Sequence, residues 1–237
     1  MVLEVLILGE QVILKYHGHG CLQLTKGAAS LIVDPFLAGN NPLAQTKAAD
    51  IKCQYVLVTH CHFDHMIDAP EIVDNNQAML IGTPEVANEV GKSCAAGALI
   101  DTPGIGGKKD YDFGFIRVTP AFHGSGVAGG HACGFIVNFY GQVVYFAGDT
   151  SLFGDMKLLS QLEKIDYAVL PIGGYFTMGP EDAALAVEFL KPRAVIPMHY
   201  NTWPPIEQDP VVFKKLVEEK TGIPVMVVEP NTEIALS

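Results

Sequence analysis

The sequence predicts an α/β protein in which β-sheets form a sandwich with helices packed outside it, and three observations carry that prediction. The front of the chain is rich in short apolar runs with partial alternation, and the back half alternates strand-sized apolar runs with helix-sized segments. No linker-like stretch interrupts the 237 residues. That length holds one sizeable core or two small ones. We expect a single domain over residues 1–237, with residues 1–10 as an N-terminal extension.

The opening segment, Met1 to Glu10, is apolar but has no basic start, carries Glu4 and Glu10, and lacks a small-residue cleavage site. It reads as a strand or an extension rather than a leader. Gln11–Tyr16, Cys21–Thr25 and Ser30–Pro35 then form a predicted β-meander, the last strand ended by its proline. Leu37–Ala49 is a loop of small and polar residues that could border a pocket. Tyr55–Val58 reads as a fully buried strand and Met66–Val73 as the start of a helix. Met79–Pro84 reads as strand, turn and helix start, with Thr83 as N-cap and Pro84 in the first helical position.

Beyond the glycine-rich stretch 97–107, strands are predicted at Phe113–Pro120, Gly134–Tyr140 and Val143–Phe146, the last two joined by a Gly141-Gln142 turn. Helices at Ser151–Lys164, Pro180–Leu190 and Pro210–Lys220 then alternate with buried strands at Tyr167–Ile172, Ala194–Pro197 and Pro224–Val228. Hydrophobic residues make up 49% of the chain and charged ones 17%, the composition of a compact protein with a large core.

Fifteen basic against 26 acidic residues leave a net charge of −11, which repels polyanions and makes nucleic acid a poor partner. A pair of divalent cations can still invert the field inside one pocket. No apolar run has the length of a membrane span. The five cysteines are odd in number and scattered, which fits a reducing cytoplasm.

Chemistry concentrates in Thr59-His60-Cys61-His62-Phe63-Asp64-His65, directly after the buried strand. Imidazole and carboxylate are the ligands a divalent cation such as Zn²⁺ accepts. His60 and His62 lie two apart and point the same way on extended chain, whereas adjacent Asp64 and His65 diverge unless the chain turns. Two metals sharing one loop satisfy that spacing. Cys61 alternates with the histidines and should face away. Three further metal-competent residues stand where apolar strands run into turns: His123, Asp149 and His199. Asp34, between Leu31-Ile32-Val33 and Pro35, is read as an acceptor that orients a metal-bound imidazole or its loop.

The His-x-His-x-Asp-His loop resembles the hallmark of the metallo-β-lactamase superfamily. That resemblance implies a four-layer αββα sandwich of two mixed sheets with outer helices. It also implies one metal on His60, His62 and His123, a second on Asp64, His65 and His199, and Asp149 of the Gly-Asp-Thr segment bridging them. A narrower likeness rests on His17-Gly18-His19-Gly20, Asp34-Pro35-Phe36, Gly173-Gly174-Tyr175-Phe176-Thr177-Met178-Gly179-Pro180-Glu181-Asp182-Ala183 and Pro197-Met198-His199-Tyr200-Asn201-Thr202. Together these are similar to metal-dependent hydrolases near the ascorbate-6-phosphate lactonases and N-acylethanolamine phospholipase D enzymes. In that group the N-terminal Gly-His lies outside the metal shell, so the resemblance makes His19 a pocket residue.

The function expected is therefore hydrolysis of a small-molecule ester, lactone or phosphoester by a hydroxide held between two divalent ions. Zinc is the first choice of metal, and manganese and iron suit the same ligands. Asp64 and His199 are expected to act in the chemistry as well as to bind metal. His19, Thr177 and Tyr200 are expected to contact substrate, although Glu181 and Asp182 in the following helical turn argue against a phosphate site there. The alternatives are a phosphodiesterase or nuclease, a di-iron redox protein, and a non-catalytic regulator of the same fold. The oligomeric state stays open, and a homo-oligomer is compatible with the sequence.

Overall fold

The computed structural model describes residues 11–237, so the predicted extension at residues 1–10 lies outside the described residues. The chain opens with the antiparallel meander β1 (Val12–Gly18), β2 (Cys21–Lys26) and β3 (Ala29–Val33). Three parallel strands extend it: β4 (Tyr55–Leu57), β5 (Met79–Ile81) and β6 (Ile100–Asp101). The second sheet repeats the scheme. Antiparallel β7 (Lys108–Tyr111), β8 (Gly114–Pro120), β9 (Cys133–Phe139) and β10 (Gln142–Phe146) lead to parallel β11 (Tyr167–Pro171) and β12 (Ala194–Met198). A final strand, β13 (Thr232–Leu236), returns to pair antiparallel with β1 and completes the first sheet.

Period-two alternation sorts the side chains into layers. Leu31, Val33 and Leu57 of the first sheet face Phe135, Val137 and Phe146 of the second in the central core. Their alternates face outward. Ile32, Val56 and Leu80 pack under α2 (Ala69–Asn76) and α3 (Pro84–Gly91), which follow the short α1 (Phe63–Met66). Ile136, Tyr145, Ala168 and Val195 pack under α4 (Met156–Leu162), α5 (Pro180–Leu190) and α6 (Pro210–Thr221). Helix, sheet, sheet and helix follow one another, the predicted four layers of two mixed sheets. Burial on both faces is why these strands read as unbroken apolar runs.

Local expectations shift for identifiable reasons. The helix expected from Met66 already starts at Phe63, and it breaks before Ala69 because Pro70 has no N–H for the carbonyl of Met66. Thr83 and Pro84 occupy the N-cap and first helical positions, but the Thr83 side chain makes no cap bond. The β9–β10 hairpin turns on Tyr140-Gly141, one residue earlier than expected. Both have positive φ (49° and 92°), as a two-residue primed turn requires. Ser151–Lys164 contracts to α4. Pro224–Val228 is not a strand: it makes a single bridge, Val195 to Val225, at the sheet edge. Strands β6, β7 and β13 lie where the sequence predicts none, β6 within the glycine-rich stretch 97–107. The 37–49 loop lies against the β1–β2 turn, with Asn41 Nδ2 donating to the carbonyls of Phe36 (3.0 Å) and Gly18 (3.4 Å), and does not line the cavity described below.

Candidate metal centre

Strand ends from both sheets deliver the polar residues to one place. Asp34 follows β3, the 59–65 loop follows β4, His123 follows β8, Asp149 follows β10 and His199 follows β12. His19 sits in the β1–β2 turn. The backbone of His19 and of His199 is held at positive φ (60° and 56°), and His199 N donates to His19 O at 2.8 Å, which locks the two turns together.

Asp34 organises the 59–65 loop. Its Oδ1 accepts from Thr59 N at 2.8 Å, and its Oδ2 accepts from Thr59 Oγ1 at 2.7 Å and from His65 Nδ1 at 2.8 Å. Because the Thr59 hydroxyl spends its proton on Asp34, its oxygen accepts from His60 Nδ1 at 3.0 Å. Both imidazoles thereby direct Nδ1 at an oxygen acceptor and turn Nε2 into the site.

Two sets of donors result. His60 Nε2 lies 3.0 Å and His123 Nε2 3.2 Å from His62 Nδ1, and ligand atoms of the three can share one ion. Asp64, His65, His199 and His19 form the second group able to do so. Asp149 stands between the sets. Its Oδ2 is 3.1 Å from His199 Nε2 and 3.5 Å from His123 Nε2, and its Oδ1 is 3.3 Å from His65 Nε2.

Electrostatics follows the burial. Burial, with the charge of His65, depresses His60, and burial also lowers His123, so these two present neutral imidazoles. At the other end burial raises the carboxyls, but it is outweighed. The hydrogen bond from His19, with His199 and His65 close by, holds Asp64 well below the usual carboxylate range, and the charges of His199 and His65 do the same for Asp149. Burial works against a charge on His65 and His199 as well, yet the Asp149 carboxylate lifts both, His199 to about 9.

The donor set fits divalent cations on one further observation. His65 Nε2, His199 Nε2 and Asp149 Oδ1 are buried without a hydrogen-bond partner although they lie within a few ångströms of one another. Buried polar atoms are almost always satisfied, and convergent orphans of this kind are what a shared ion satisfies. Cys61 points away, its Sγ 3.7 Å from Val86 O.

The cavity over these residues measures about 400 Å³. His62, Asp64, His123, Asp149 and His199 line it, with Phe176, Trp203 and Pro205. The residues expected to contact substrate are placed elsewhere. His19 is fully buried between Thr202, whose Oγ1 is 2.8 Å from Nδ1, and Asp64, whose Oδ2 accepts from Nε2 at 2.8 Å. Tyr200 packs in the core beneath the second sheet's helices, and Thr177 Oγ1 turns to the carbonyl of Met178. Neither lines the cavity. The residues that do, Phe176 and Trp203, escaped the sequence reading because loops have no periodicity. The available signal was the chain's lone tryptophan, four residues after His199 and followed by two prolines.

A family model described as "Beta-lactamase superfamily domain" matches residues 13–199. A Natranaerobius thermophilus protein named UPF0173 metal-dependent hydrolase is 50% identical over 224 residues, covering 94% of this chain and 99% of its own. A relative of the same name from Thermococcus kodakarensis is 45% identical over 227 residues, covering 94% and 98%. Among solved structures, Igni18, a metallo hydrolase from Ignicoccus hospitalis, superposes with a TM-score of 0.87 at 36% identity, covering 96% of this chain and 99% of its own. Among the described residues no helix is long and apolar enough to cross a membrane.

Proposed function

This chain belongs to the β-lactamase superfamily and, within it, to the metal-dependent hydrolases, and on that premise we propose a binuclear site that hydrolyses a small-molecule ester, lactone or phosphoester. The observation that carries the reading is Asp149: one oxygen faces His65 and the other faces His199 and His123, so one carboxylate addresses both donor sets. His60, His62 and His123 would hold one divalent cation and Asp64, His65 and His199 the other, with Asp149 shared. Zinc suits this mixture of imidazole and carboxylate.

When bound, the cations lower the pKa of water and offset the negative charge that develops on the substrate oxygen. The protein supplies orientation and proton handling. Asp64 lines the cavity, and its orientation is fixed from behind by the Thr202–His19 pair. In ester hydrolysis the oxygen of water bonds to the carbonyl carbon, the bond to the leaving oxygen breaks, and a proton passes from the water to that oxygen. Asp64, on the cavity lining, would orient the water and pass its proton to the leaving group. His199 lines the same cavity with Nε2 3.1 Å from Asp149 Oδ2 and 3.7 Å from Asp64 Oδ2, placed to share a cation with both carboxylates. Cys21, Cys53, Cys61, Cys94 and Cys133 are all free, which supports a reducing, cytoplasmic setting.

The test is the metal content per chain, read by element-resolved mass spectrometry on protein purified without chelator or metal-affinity tag, followed by ester, lactone and phosphodiester assays with that metal. Near two equivalents and turnover of one of these classes uphold the reading. Less than half an equivalent, persisting after incubation with Zn²⁺ and Mn²⁺, defeats it.

A further inference from the structure

The walls of the cavity differ in kind from its floor. Apart from the donor residues, the lining is Phe176, Trp203 and Pro205, and no lysine or arginine lines it among the described residues. The apolar character continues outward: Phe176 packs edge-on against Tyr175 at 4.7 Å between ring centroids, and the two are 51% and 72% exposed. Trp203 is braced at its back, edge-on to His19 at 4.8 Å and tilted against Phe36 at 6.1 Å. Large aromatic side chains left bare beside a reactive site are available to cover a ligand.

Cations held at the floor would answer negative charge at the reacting end of a substrate. Nothing on the wall would answer a second charge, and placing an unpaired anion against Phe, Trp and Pro forfeits its hydration without replacement. Burial of apolar surface there is favourable at every methylene group. Resting on the reading of the floor as a hydrolytic metal centre, we infer that the substrate is a carboxylic ester or lactone whose portion remote from the scissile bond is uncharged and aliphatic or aromatic, seated between Trp203 and Phe176. Sugar phosphates, nucleotides and dicarboxylate half-esters are excluded by the same wall. The reaction is the balanced hydrolysis given above, so water is the only co-reactant.

The experiment compares two esters of equal length on the metal-loaded enzyme, phenyl valerate and the phenyl half-ester of glutaric acid, which differ by a charge at the far end. Expected is a kcat/KM at least about tenfold higher for the valerate, rising along the acetate, butyrate and valerate series, since each buried methylene contributes a factor of about four. Phe176→Ala and Trp203→Ala should each flatten the series, and Trp203→Phe should restore part of it. A half-ester hydrolysed as well as the valerate, or a series unchanged in both alanine variants, overturns the inference. Binding is read separately from turnover, because Trp203 is the chain's one tryptophan and its fluorescence reports the wall directly. The anilide of valeric acid should perturb it at a concentration at least about tenfold lower than glutaric acid monoanilide, with Phe176→Ala reducing that difference. If neither ester turns over but the anilides separate in this way, the hydrolytic reading fails and the wall stands. If neither anilide perturbs Trp203, the wall assignment falls.

Discussion

Nδ1 of His65 donates to Oδ2 of Asp34 at 2.8 Å, in a contact that spans 31 positions of sequence. The same carboxylate takes the N–H and the hydroxyl of Thr59, and through that hydroxyl it sets the tautomer of His60. One buried side chain thus orients one imidazole in each donor set. Asp34→Ala should lower metal affinity by about 10- to 100-fold. It should also cost about 2 to 3 kcal/mol of stability, since Thr59 N and Oγ1 are left buried without an acceptor. Competition titration with a chromophoric chelator, alongside urea unfolding, checks both numbers. Wild-type affinity in a destabilised variant would reduce Asp34 to a folding role.

Asp149 makes a different prediction because it faces both sets. Asp149→Ala removes a carboxylate from the middle of the site while every strand that delivers the other donors stays in place. Circular dichroism should remain that of the folded protein, metal content should fall by about one equivalent, and ester turnover should drop by at least about a hundredfold, the scale on which single electrostatic groups act. An active variant that retains both metals would show that the two sets do not share this carboxylate.

The metal loop was legible from the sequence because its residues are contiguous and its chemistry dense. His123, Asp149 and His199 were legible because each ends an apolar run. The layers were readable for the same reason: alternating residues such as Leu31, Ile32 and Val33 must face opposite sides. What stayed hidden depends on tertiary contact. The dual service of Asp34 to Thr59 and His65 has no local signature. Nor does the Thr202–His19–Asp64 line, which joins residues 183 and 45 positions apart and withdraws His19 from the cavity. Phe176 and Trp203 belong to loops, where no period separates wall from solvent. Strand β13 has an exposed outer face and pairs with β1 across nearly the whole chain, so its apolar signal is weak.

Gly126 tests how tightly the loop is held from the His123 side. Its φ is +73°, and a Cβ there would meet the carbonyl carbon of Cys61 at 2.7 Å and its oxygen at 2.8 Å. These are backbone atoms of the metal loop, directly before His62, so they cannot rotate away. Gly126→Ala should cost about 1 to 3 kcal/mol from conformational strain and contact together. It should also weaken metal binding by displacing His62 from His60 and His123. Thermal unfolding with and without added Zn²⁺ is the measurement. A variant with wild-type stability in both conditions would show that the loop yields without cost.

His17 provides a pH test outside the donor sets. It is fully buried, with Nε2 3.1 Å from Gln23 Oε1 and Nδ1 without a partner. Burial, opposed by the Gln23 bond and assisted by the charge of Lys15, pushes its pKa down from 6.5 to about 4. Above pH 6.5 the imidazole is neutral in both folded and unfolded chains and contributes no slope. Between 6.5 and 4 the unfolded chain takes up the proton and the folded one does not, so stability falls as pH falls. Below about 4 both forms are protonated and the loss levels off at about 3 kcal/mol. His17→Gln keeps a polar side chain but has nothing to titrate, so its stability curve should lose that part of the acid limb. Urea unfolding of both proteins across this range, at fixed metal load, isolates the difference because the other buried histidines are common to both. Parallel curves would place the His17 proton uptake in the folded state as well, and with it a water or carbonyl partner at Nδ1.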